Sequence, residues 1–186
     1  MIINRVAESD IEVYNLETLW DEAPVDEFDL APFLYRGLVL REKDFREQIK
    51  VQDWTVYQGH HVALFCSTDA IIPTWAYMLL ASKLLGIARS VAFGRTADLL
   101  RDHFVRALEA EDWSKYQDRM VVIKGCGSKV VPPNAYLLAT QKLQAVAAKL
   151  MYGEPCSSVP LWRKPKNTTG PLPGKAVRAV LPTRNV

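Results

Sequence analysis

The chain has 186 residues, 49% apolar and 24% charged, with a formal net charge of +2. That length carries one ordinary domain with a sizeable core, and the composition matches soluble globular proteins. No apolar run is long enough to span a bilayer, because the longest, 76–85, is broken by Ser82 and Lys83. A membrane partner is therefore not expected. The charge is uneven: six cations and no acid lie between Trp162 and the C-terminus, so the remainder carries −4. A nucleic-acid-binding core needs a basic folded face, so no nucleic-acid partner is expected either.

In chain order, residues 1–10 lack the charged-then-apolar pattern of a signal peptide. Residues 11–16 alternate imperfectly between apolar and polar and read as an edge strand. Acids crowd 21–29, and 31–40 is apolar enough to pack on a core. Residues 42–50 read as a short charged helix with a solvated face.

From Asp53 the chain repeats itself. At a constant offset of fifty-nine residues, thirteen of forty-two positions are identical without a gap. They include Asp53/Asp112, Trp54/Trp113, Tyr57/Tyr116, Pro73/Pro132, Tyr77/Tyr136 and Gly94/Gly153. The paired Asp-Trp segments read as aromatic anchors, and Tyr77 and Tyr136 as core. Each copy, 53–94 and 112–153, begins with a short run rich in β-formers, 61–66 or 120–124. A proline suited to the first turn of a helix follows, then the helix, then a second strand at 90–93 or 149–152. Leu99, Leu100, Phe104, Val105 and Leu108 give the connecting segment helical spacing. The expected fold class is α/β, a mainly parallel sheet flanked by helices, built by internal duplication of a strand-loop-helix-strand unit. The expected organisation is a single domain over 1–161, followed by a flexible, basic, proline-rich tail over 162–186.

An odd count of three cysteines, without a signal peptide, argues against a disulfide framework and for thiols in the cytoplasm. Cys66 ends the first strand of copy one, Cys126 follows the first strand of copy two, and Cys156 follows the last strand. Open parallel sheets bind ligands beyond the carboxyl ends of their strands, so all three thiols are expected on the functional edge. They fall at unmatched positions, Cys66 aligning with Gly125 and Cys126 with Ser67. Three thiolates suit zinc or an iron–sulfur cluster, each of which usually takes four ligands. Asp69 is the first candidate for the fourth, and Glu154 the second. His60 and His61 lie at the opposite strand end, roughly 16 Å away at about 3.3 Å per residue. His103 sits mid-helix, facing away from the strand ends.

Two other readings stay open. In one, the thiols are unrelated core residues of a non-catalytic binding or scaffold protein, since cysteine often behaves as a small buried hydrophobe. Alternatively, Cys66 or Cys126, each preceding a helix N-terminus, could be a lowered-pKa nucleophile or redox thiol. No histidine is obviously placed as its base, and no C-x-x-C pair is present. Gly125-Cys126-Gly127 precedes a helix but lacks the dinucleotide fingerprint, since Val130 stands at its last position.

Three segments are distinctive: Ala63-Leu64-Phe65-Cys66-Ser67-Thr68-Asp69-Ala70-Ile71-Ile72-Pro73, Val121-Val122-Ile123-Lys124-Gly125-Cys126-Gly127 and Met151-Tyr152-Gly153-Glu154-Pro155-Cys156-Ser157. With Gly37-Leu38-Val39-Leu40-Arg41-Glu42-Lys43-Asp44-Phe45-Arg46, they resemble an uncharacterised bacterial domain-of-unknown-function family, number 2480. The resemblance covers roughly residues 1–165. It implies no activity. It does imply that the cysteine-bearing segments belong to the family pattern, and it suggests iron–sulfur assembly proteins as partners.

Overall fold

The computed structural model describes residues 11–125, 127 and 129–165. Strands β1 (Ile11–Asn15) and β2 (Val25–Asp29) precede helix α1 (Glu42–Lys50). A first unit follows: β3 (His61–Phe65), α2 (Thr74–Leu84) and β4 (Ser90–Phe93). Helix α3 (Thr96–Ala110) leads into a second: β5 (Met120–Lys124), α4 (Pro133–Gln144) and β6 (Lys149–Tyr152). Strand β7 (Val159–Arg163) comes last.

The strands divide into two sheets, not the single sheet expected. One has the order β1-β5-β6-β7 and the other β2-β3-β4. Every pairing is parallel except β6 with β7. The cause of the split lies in the N-terminal segment. β2 pairs with β3, Val25 opposite His61, while β1 pairs with β5, Ile11 opposite Met120. Each unit thus receives its own third strand and has no need of the other unit's edge. The acids Asp26, Glu27 and Asp29 disguise β2, whose one buried side chain is Phe28.

The fifty-nine-residue spacing extends to the details of local structure. β3 and β5, β4 and β6, and the starts of α2 and α4 all stand that far apart. Trp54 Nε1–H donates to the Ile49 carbonyl at 3.1 Å, and Trp113 Nε1–H to the Leu108 carbonyl at 3.1 Å. The Asp53 carboxylate accepts from the Thr55 N–H and hydroxyl, and Asp112 accepts likewise from Ser114. Each Trp also packs on an N-terminal strand, Trp54 on Phe28 and Trp113 on Tyr14. The Asp-Trp segments therefore anchor their strands as expected.

Helix α3 joins the two units. Its Phe104 and Leu108 enter the core beside the four-stranded sheet, with Leu143 and Leu150. Its Leu99 packs with Ala63 and Ala92 of the three-stranded sheet. A third cluster, including Phe45, Ile49, Leu80 and Leu84, fills the other side of that sheet. β7 runs two residues beyond the expected boundary at Leu161, because Trp162 and Arg163 pair with Leu150 and Lys149. Residues 166–186 of the expected tail lie outside the described residues.

Candidate apolar groove at the strand ends

The carboxyl ends of β2, β3 and β4 carry open apolar surface. Asp29, at the end of β2, sets the loop that leaves β3. Its Oδ1 accepts from the Ala31 N–H at 2.9 Å and from the Ser67 N–H at 2.9 Å. Burial pushes the Asp29 carboxyl up, but hydrogen bonds from Ser67 and Ala31 outweigh this and hold it below its ordinary value. The loop then passes Cys66, whose Sγ lies 3.3 Å from Thr68 Oγ1, and turns into α2 at Pro73.

Two adjoining grooves result. Gly37, Leu38, Val39, Thr68, Asp69 and Ile71 border about 470 Å³. Ile72, Thr74, Tyr77 and Phe93 border about 550 Å³, and Ala70 lines both. The apolar walls face solvent: Ile71 is 91% exposed, Leu38 72% and Phe93 67%. Tyr77 meets Phe93 edge to face, with ring centroids 4.9 Å apart. Burial raises the Tyr77 pKa, and the proximity of Cys66 and Asp29 raises it further, so the groove presents a neutral phenol.

The second unit has the corresponding groove in altered form. Tyr136 meets Tyr152 edge to face at 5.8 Å, at positions fifty-nine residues beyond Tyr77 and Phe93. Here β7 lies against β6, and Leu161 forms a wall of a groove of only about 260 Å³. Tyr152 is 37% exposed, against 67% for Phe93. Both tyrosines, expected as core, thus line grooves. The Tyr136 hydroxyl donates to the Gly125 carbonyl at 2.5 Å.

A family model described as "Protein of unknown function (DUF2480)" matches residues 1–164. The chain belongs to the DUF2480 family. The match takes in both units, all three grooves and β7. No curated protein and no solved structure matches the chain.

In this DUF2480 chain the two described cysteines belong to different sheets. Cys66 follows β3 of the three-stranded sheet, whereas Cys156 follows β6 of the four-stranded one. Cys126 lies outside the described residues. Cys66 is half-buried and Cys156 exposed, so neither is a buried core thiol. Asp69 is exposed on the groove rim. Glu154 is ion-paired with Lys124 at 2.9 Å. Among the described residues, no three His, Cys, Asp or Glu side chains come together as a metal site would require.

One polar cluster was not anticipated. At the amino end of the three-stranded sheet, His61 is 1% exposed and bonds through both ring nitrogens. Nε2 lies 2.9 Å from Asp21 Oδ1, and Nδ1 lies 2.6 Å from Ser90 Oγ. With its proton on Nε2, His61 donates to Asp21 and accepts from Ser90. Arg89 pairs with the other Asp21 oxygen, and Trp20 packs against both His61 and His103. His103 Nε2 lies 2.8 Å from the Leu19 carbonyl. The cluster fastens residues 19–21 to the sheet and to α3. The available signal was a histidine opening an otherwise apolar strand.

Proposed function

We propose that this DUF2480 chain is a non-catalytic binding protein whose ligand surface is the apolar groove beyond β3 and β4. The observation carrying this reading is the contrast between two equivalent positions. The Tyr136–Tyr152 groove has a side chain of the added strand β7, Leu161, as a wall, whereas the larger Tyr77–Phe93 groove has no strand beyond β4 among the described residues. Its place beyond the carboxyl ends of a parallel sheet is where open α/β folds hold ligands. The equal spacing of the units supports an origin by internal duplication. The side chains that α3 gives to both cores support a single domain.

The test is a titration of isotopically labelled full-length protein with indole, followed by nuclear magnetic resonance. Shifts should concentrate at Tyr77, Phe93 and Ile72, and Phe93→Asp should abolish them. Shifts absent at millimolar indole, or mapped elsewhere, would overturn the proposal.

A further inference from the structure

Four strands stand at sheet margins among the described residues: β1, β7, β2 and β4. An unpaired strand edge is a template for another strand, and proteins blunt such edges with charge, proline or irregular register. β1 carries Glu12, and β2 carries Asp26, Glu27 and Asp29. β7 carries Pro160 and Arg163, and its register with β6 is irregular between Leu150 and Met151. β4 reads Ser90-Val91-Ala92-Phe93 and has none of these devices. It is only four residues long, but β6 is equally short and still receives β7.

The same chain indicates what such an edge accepts. β6 takes an antiparallel strand that sets Val159 opposite Tyr152 and Trp162 opposite Leu150, with Leu161 beside Tyr136 and Tyr152. We infer that β4 accepts an extended segment of a partner protein in antiparallel register, placing an aliphatic side chain beside Tyr77 and Phe93. This rests on the groove reading above and names its ligand. Backbone hydrogen bonds along β4 supply affinity, and the groove selects the side chain. The flanking cations are neutralised, Arg89 by Asp21 and Arg95 by Glu27, so an uncharged apolar segment is the complementary occupant. A second copy fits less well. Self-pairing of β4 about a two-fold axis sets Ser90 opposite Phe93 and delivers no large side chain to the groove.

The probe is a fluorescent peptide of residues 157–162, the uncharged part of the β7 sequence, titrated into full-length protein by anisotropy. Saturable binding is expected. Affinity should fall about tenfold when alternate peptide nitrogens are methylated, and similarly in Phe93→Lys, which places a charge on an exposed edge position. Equal binding of the methylated peptide would overturn strand addition. So would absence of peptide binding while indole still shifts Phe93, although the groove reading would then stand. Loss of both signals would remove both readings. A dimer in light scattering that Phe93→Lys dissolves would overturn the partner assignment in favour of a second copy.

Discussion

Asp21 carries more of the fold than its surface position suggests. Burial alone would raise its pKa, but hydrogen bonds from His61, the Ala23 N–H and Arg89 hold it at about 2, below the ordinary 3.8. A carboxyl depressed in the folded state stabilises the fold above its unfolded pKa, and that contribution is lost as pH falls through the folded value. The window is therefore about pH 4 down to about pH 2. In thermal melts across that range, the wild type should lose stability more steeply than Asp21→Asn, which starts lower and declines less. Parallel curves would show that the His61–Asp21–Arg89 contacts do not control the acid limb. The thiols make a second residue-scale case. Cys156 is exposed and Cys66 half-buried, so in a Cys126→Ser background a native Ellman titration should show a fast phase that Cys156→Ser removes and a slower one that Cys66→Ser removes. A fast phase surviving Cys156→Ser would contradict the exposure of that loop.

At the scale of elements, much of the fold was legible because its signals were local. β-rich runs, the prolines before α2 and α4, and the apolar spacing of α3 each mark an element within its own residues. Helix α1 lies over Glu42–Lys50, as its charge pattern predicts. What escaped the sequence was pairing between distant segments. Nothing inside Val25–Asp29 states that Phe28 will be buried against Trp54 while three acids stay at the margin. The division into two sheets follows from that pairing, and with it the placement of Cys66 and Cys156 on different sheets. The grooves were half legible. Tyr77 and Tyr136 stood out as a repeated pair, but only the presence of β7 on one unit separates an occupied position from an open one. The exposed Phe93 on β4 carries a local prediction as well. Because it contributes little to the core, Phe93→Lys should change stability by only about 0.5 kcal/mol in urea denaturation. A larger loss would mean that the edge is already packed against something.

At the scale of the molecule, α3 decides whether the two units are separable. It is a fifteen-residue helix, about 22 Å long at 1.5 Å per residue, with side chains in both cores. Trp20 likewise packs against both. If one sheet unfolds, α3 loses its packing on that side, and the face it turned to that core is opened to water. The free-energy cost of that exposure couples the two units, so unfolding should be a single cooperative transition. Leu99→Ala tests this from one side only, because Leu99 belongs to the Ala63–Ala92 cluster alone. The substitution should cost about 2–5 kcal/mol, as expected for truncating a fully buried leucine. Tryptophans report each unit separately, Trp54 and Trp75 beside the three-stranded sheet and Trp113 and Trp162 beside the four-stranded one. In single-tryptophan variants keeping only Trp54 or only Trp113, urea midpoints should coincide, and Leu99→Ala should lower both equally. A Trp113 midpoint unmoved by Leu99→Ala would mean that the four-stranded unit folds without its neighbour, and α3 would then be a tether between two domains, not the shared wall of one.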